Sequence, residues 1–182
     1  MKNQKRLITF FIFIGLFSAS YFIGSLSQVS HEDALQFQEE FQELIGDIDG
    51  IGIFLHNSNV GLIMFIPGFG VAWGFFSAWQ TGQAFAALAL LNPMISSIHP
   101  LAILYLSPFG IMELVAYSIA MSRSLLLTHK IIKKIPIKNI IKNDYKIICI
   151  EVGIVIGLLL AGGFLEAYLI QVVEDAGIEA II

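Results

Sequence analysis

From Leu7 to Ser122 this sequence contains neither lysine nor arginine. All ten basic residues lie in two patches: Lys2, Lys5 and Arg6 at the start, and Arg123, Lys130, Lys133, Lys134, Lys138, Lys142 and Lys146 in one later stretch. Charge of either sign is scarce. Only 13% of residues are charged and 57% are hydrophobic, with a mean hydropathy of +0.81. A soluble domain carries charge on about a quarter of its residues, so an ordinary soluble domain is excluded. The single cysteine, Cys149, excludes an intrachain disulfide. No zinc-finger, helix-turn-helix or RNA-binding signature accompanies the basic patches, which therefore suit an anionic cytoplasmic leaflet and not nucleic acid. No hydrolase elbow, phosphate loop or zincin helix occurs. Gly68-Phe69-Gly70 lacks the rest of a dinucleotide fingerprint. The expectation is a non-enzymatic protein with no cofactor and no catalytic residue.

What the sequence does contain is charge sorted by side. Half of the fourteen acids (Glu32, Asp33, Glu39, Glu40, Glu43, Asp47 and Asp49) lie in one polar segment inside the base-free stretch. Short cytoplasmic segments of membrane proteins keep Lys and Arg. The acidic segment is thus expected outside and the basic patches inside, in a prokaryotic cell membrane. The N-terminus is expected cytoplasmic and the C-terminus, with Glu174, Asp175 and Glu179, extracytoplasmic.

A span needs roughly 20 apolar residues. The reading is a single all-α polytopic transmembrane helix bundle over residues 1–182, with about five spans near 7–26, 55–76, 80–96, 100–122 and 147–171. Short turns are expected at 79–83 inside and 96–100 outside. Pro67, Gly68, Gly70 and Gly74 kink or break the second span. In the first, Ser18-Ala19-Ser20 resembles a signal cleavage site, but the apolar run continues through Tyr21, Phe22 and Ile23, so it reads as an uncleaved anchor. Residues 30–48 read as an extracytoplasmic amphipathic helix. Ser30 and Asp33 resemble a capping box, and Ala34, Phe37, Phe41, Leu44 and Ile48 form one apolar stripe that packs on the bundle. In the cytoplasmic basic loop 123–146, isoleucines alternate with lysines around Pro136. Two short interfacial helices are expected there, with Lys130, Lys133, Lys134, Lys138 and Lys142 reaching lipid headgroups. Gly153, Gly157 and Ala161 recur every four residues in the last span, a stripe that lets another helix approach closely.

Few residues carry candidate chemistry. Glu113 is the one ionisable carboxyl between Ile51 and Ser122. A charged group at membrane depth costs roughly 2.5–3.5 kcal/mol on insertion scales, and no span supplies a base. Glu113 is expected to be protonated or held by neutral donors: Asn57, Asn59, Gln83 or Tyr117. It serves as a proton relay, ion site or partner contact, or as an interhelical hydrogen bond that locks the bundle. Glu151 and Glu166 lie about four helical turns apart, roughly 22 Å, too far for a carboxylate pair within one helix. Lys146 or Lys142 is expected to neutralise Glu151, and Glu166 to lie near the outer edge. His31, His56 and His99 fall on the expected outer side, without the spacing of a metal motif.

Three local patterns resemble the stage II sporulation protein M family of integral membrane proteins, over about residues 51–170. They are Ile53-Phe54-Leu55-His56-Asn57-Ser58-Asn59, then Ser107-Pro108-Phe109-Gly110-Ile111-Met112-Glu113-Leu114, then Ala161-Gly162-Gly163-Phe164-Leu165-Glu166-Ala167-Tyr168. Phe109 stands where that family usually has histidine, so no role needing that imidazole carries over. The resemblance implies a membrane scaffold, since the sporulation member is understood as a non-enzymatic anchor for cell-wall hydrolases. The leading expectation is accordingly a non-catalytic scaffold or accessory subunit of a larger membrane complex. Its partners would be membrane lipids and other membrane subunits, met through the spans and the acidic helix. Two alternatives stand beside it. One is a small transporter or channel using Glu113 with Asn57 and Asn59. The other is an accessory subunit of a membrane oxidoreductase or monooxygenase with an outer metal site.

Overall fold

The computed structural model describes residues 2–45 and 49–175. Among these, eight helices follow one another: α1 (Lys2–Ser25), α2 (His31–Ile45), α3 (Gly50–Ile63), α4 (Phe69–Leu91), α5 (Pro93–Ser96), α6 (Pro100–Leu106), α7 (Pro108–Ile132) and α8 (Ile137–Asp175). No strand occurs among the described residues. Among the described residues three helices are long and apolar enough to cross a membrane: Gln4–Ser25, Pro108–Ile132 and Asp144–Val172. That is fewer than the five expected.

Proline placement explains where the helices divide. The ring removes a backbone donor and tolerates only the first turn of a helix. Pro93, Pro100 and Pro108 each open a helix behind Asn92, His99 and Ser107. The Ser107 hydroxyl accepts from the Gly110 nitrogen at 3.1 Å, a side-chain cap. The span expected at 55–76, with a kink or break at its proline and glycines, is broken at 64–68, where Pro67 precedes Gly68 at φ +83°, a conformation glycine adopts without strain. This leaves α3 only 14 residues long. The turn expected at 79–83 does not form, and α4 runs unbroken through Trp79-Gln80-Thr81-Gly82-Gln83. Polar residues alone do not stop a helix, and the Thr81 hydroxyl returns to the Ser77 carbonyl at 2.9 Å. The span expected at 100–122 starts in α6 and continues, after the break at Ser107, to Ile132.

The core joins α1, α4, α7 and α8. Phe13, Phe17 and Tyr21 of α1 are buried with Ala78, Ala116, Tyr117, Ala120, Met121, Val155 and Leu159. Thus α1 is a core element. Close backbone approach binds α1 to α4: a Cβ on Gly24 would collide with the Trp79 carbonyl, and one on Gly82 with the Tyr21 carbonyl. The turn between α3 and α4 is tied to α7. The Ser124 hydroxyl donates to the Ile66 carbonyl at 2.7 Å, and the Gly68 nitrogen donates to the Thr128 hydroxyl at 2.6 Å.

The amphipathic helix expected at 30–48 is α2, packed on α4. Ser30 caps it: the Asp33 nitrogen donates to the Ser30 hydroxyl at 3.1 Å, and in place of the reciprocal backbone bond of a capping box that hydroxyl donates to Asp33 Oδ2 at 2.6 Å. Ala34 is fully buried and Phe37 half-buried. The remaining stripe residues, Phe41, Leu44 and Ile48, lie outside the described side chains, as does Glu179 of the tail. The basic loop is shorter than expected. In place of two interfacial helices, α7 continues to Ile132 and a turn at 133–136 leads straight into α8. Isoleucines and lysines at helical spacing simply extend the two long helices, and only Pro136 interrupts them.

Candidate functional site

The three family-like patterns, far apart along the chain, meet where α3, α7 and α8 pack together. Glycines make the junction. A Cβ on Gly163 of α8 would stand 2.9 Å from the Phe54 nitrogen and 3.1 Å from the Gly50 carbonyl, so α8 lies directly on the α3 backbone. A Cβ on Gly162 would be 3.7 Å from Met112 Cβ, beside the first turns of α7. One turn further along α8 comes Glu166. The Asn57 amide of α3 donates to Glu113 Oε1 of α7 at 2.7 Å. Glu166 is near enough to Glu113 and Tyr117 to interact with both electrostatically. The Tyr117 ring also packs on Phe17 of α1, with centroids 5.6 Å apart.

Glu113, Asn57 and Glu166 are thus brought together, while Asn59 is exposed and takes no part. Of the four neutral donors expected for Glu113, Asn57 is the one that donates to it. Two carboxyl groups and one amide inside a helical junction offer an interhelical lock, and also a place where protons or a cation would find oxygen ligands. In membranes such interhelical hydrogen bonds contribute roughly 0.6 kcal/mol on average and up to about 1.7. Glu113→Gln retains an acceptor for Asn57 and is expected to leave thermal stability in mild detergent nearly unchanged. Glu113→Leu orphans the Asn57 amide and is expected to lower stability by about 1–2 kcal/mol. Equal melting for the two variants would show that the hydrogen bond does not hold the junction.

A second polar centre lies further along α7, near its middle. Glu151 of α8 is held by both arginines of the chain and not by Lys142 or Lys146. Arg123 donates twice, Nε to Oε2 at 2.5 Å and Nη2 to Oε1 at 2.7 Å. Arg6 of α1 donates from Nε to Oε1 at 2.7 Å, and also to the Ser122 hydroxyl and the Ile119 carbonyl. Arg123 and Glu151 are buried, with 6% and 12% of their side chains exposed. The expectation of a lysine partner failed because both lysines are exposed, whereas a guanidinium fork matches a carboxylate bidentately. The available signal was residue type: the chain's two arginines stand apart from eight lysines.

The remaining candidates separate. Lys130 pairs with the buried Asp144, so it is occupied within the chain, whereas Lys133, Lys134, Lys138 and Lys142 are exposed. Gly153, Gly157 and Ala161 face out of the bundle, opposite the buried Val155 and Leu159. A Cβ at Gly153 or Gly157 would meet nothing of this chain within 4 Å. Within the chain, close helix contact falls instead to Gly24, Gly82 and Gly163. His31, His56 and His99 are exposed, and His99 stacks on Phe22 with centroids 5.8 Å apart. Among the described residues no three His, Cys, Asp or Glu side chains group to hold a metal ion.

Residues 7–170 match the family model described as Stage II sporulation protein M. No curated protein and no solved structure matches the chain.

Proposed function

The chain belongs to the stage II sporulation protein M family, and from that premise we propose that it is a non-catalytic scaffold or accessory subunit of a larger complex in the cell membrane. The observation that carries this reading is the outward stripe Gly153–Gly157–Ala161. It lies on a membrane-length helix whose opposite face is buried. Small residues four apart let a second helix backbone come close, which supplies van der Waals contact that lipid tails do not match in fit. The acidic face of α2, with Glu32, Asp33, Glu39 and Glu40 exposed, offers a second contact for a partner outside the membrane.

Orientation belongs to the same proposal. Arg6 meets α7 at Ile119 and Ser122 and α8 at Glu151, further toward the turn 133–136 than Glu113 and Glu166, so on this reading both basic patches lie on the same side of the bundle. An odd number of crossings suits that arrangement with three helices as well as with five. The basic end faces the cytoplasm by the positive-inside rule, and α2 faces outward.

Membrane complexes isolated in mild detergent from cells carrying a tagged chromosomal copy test the scaffold reading. The wild-type chain is expected to elute in a stoichiometric complex of defined composition. Gly157→Leu is expected to elute as a folded lone subunit, because the new side chain meets only the partner. A wild-type chain that runs alone, or a Gly157→Leu variant that retains the same complex, would defeat the proposal.

The junction of Glu113, Glu166 and Asn57 favours a second reading, a small transporter that passes protons or a monovalent cation. Liposome flux separates it from the first: transport requires a flux that Glu113→Gln abolishes, and a scaffold shows none.

A further inference from the structure

Beside the arginine–glutamate centre, α1 and α7 leave a groove of about 300 Å³ lined by Arg6, Leu7, Phe10 and Ile119. We propose that this groove binds one anionic phospholipid, with its phosphate on Arg6 and the upper part of an acyl chain on Leu7, Phe10 and Ile119.

Charge is the first argument. Two guanidinium groups, Arg6 and Arg123, meet one carboxylate, Glu151, so the centre keeps one uncompensated positive charge. Arg123 is buried and turns its fork onto Glu151. The excess is therefore presented by Arg6, which is partly exposed and lines the groove. A guanidinium has five N–H donors. Arg6 uses one each on Glu151, Ser122 and Ile119, which leaves two. A phosphate diester accepts a pair of such donors in the bidentate, charge-assisted manner.

Depth and shape are the second argument. Arg6 lies in the first turns of a membrane-length helix, Gln4–Ser25, and the ends of a spanning helix meet the headgroups. Leu7 and Phe10 continue from it along α1 toward the hydrocarbon, and Leu7 is 57% exposed. A free phosphate would satisfy Arg6 but leave these apolar walls bare. A phospholipid satisfies both ends. The exposed Lys5 next to Arg6 favours a headgroup with net negative charge over a zwitterion, whose ammonium it repels.

The purified chain in mild detergent, titrated by native mass spectrometry with phosphatidylglycerol, phosphatidylcholine and inorganic phosphate, tests the proposal. One phosphatidylglycerol per chain is expected, bound roughly tenfold more tightly than phosphatidylcholine. Arg6→Gln leaves both Arg123 bonds to Glu151 in place and removes the excess positive charge, so the centre becomes neutral, and it is expected to erase that preference. Phe10→Ala keeps the charge and removes an apolar wall; it is expected to weaken phosphatidylglycerol binding severalfold, and it serves as the test should Arg6→Gln not fold. Equal binding of the two lipids, an unchanged preference in Arg6→Gln, or unchanged affinity in Phe10→Ala would overturn the assignment. So would displacement of the lipid by inorganic phosphate at equal concentration, since that outcome marks a plain phosphate site.

Discussion

Replacing Glu151 by leucine is expected to destabilise the bundle by about 3–5 kcal/mol, one of the two largest effects of a single substitution foreseen here. The carboxylate is the one anion between two guanidiniums, and the centre is mostly buried. Its loss leaves Arg123 charged and enclosed without a partner, and the desolvation of that charge is no longer offset. Arg6 suffers less, because it is partly exposed and its stem allows the head to shift toward the headgroups. Thermal unfolding in mild detergent, followed by size-exclusion of the fluorescently tagged chain, reads the loss. The cause can be separated from mere volume change. Arg123→Met combined with Glu151→Leu removes the uncompensated buried charge and is expected to regain most of the stability lost by Glu151→Leu alone. If the double variant is as unstable as the single one, packing and not charge explains the defect. If Glu151→Leu melts like the wild type, the ion network contributes nothing.

Gly82→Leu is expected to separate α1 from α4. The added Cβ would collide with the Tyr21 carbonyl and stand 2.7 Å from the Ser25 nitrogen. Both obstacles are backbone, so no side-chain rotation relieves them and a helix must move. The expected loss lies at the upper end of the roughly 1–3 kcal/mol that overpacking costs, and the same unfolding assay measures it. Gly15→Leu provides the control on α1, where a Cβ meets nothing within 4 Å; it is expected to be near neutral. A Gly82→Leu variant that melts with the control would mean that α1 and α4 do not touch through these glycines.

Several features were legible because they depend on local chemistry. The helix start at Ser30 and Asp33 needs only neighbours in sequence, and Ser30 does cap α2 through the Asp33 nitrogen. The apolar stripe that placed α2 against the bundle is a helical period. The segregation of ten basic residues into two patches is a property of the chain, and in the fold Arg6 of the first patch and Arg123 of the second meet on Glu151. Helix breaks were partly misread for a related reason. Glycine and glutamine at 79–83 suggested a turn, yet a helix accommodates both; proline is what the backbone refuses. Each of the five prolines stands in a break between helices or on the first residue of one.

The two polar centres divide along the same line. Residue type alone pointed to Glu113, because a carboxyl in a long apolar stretch has no solvent to hold it. Asn57 was among its named partners, as the available donors were few. Glu166 joined them only through the α3–α8 approach at Gly163, which no local pattern encodes. The arginine centre was invisible for the stronger reason that its members come from the first turns of α1, the middle of α7 and the early part of α8. The sequence by itself determined an all-helical chain with apolar stretches of membrane length and its family, since hydropathy and motif order are properties of the chain. Only the tertiary structure decided how many helices are long enough to cross, which glycines pack within the chain and which face outward, and which charges meet. Those outcomes depend on three-dimensional neighbours, and the chain brings them together across more than a hundred residues.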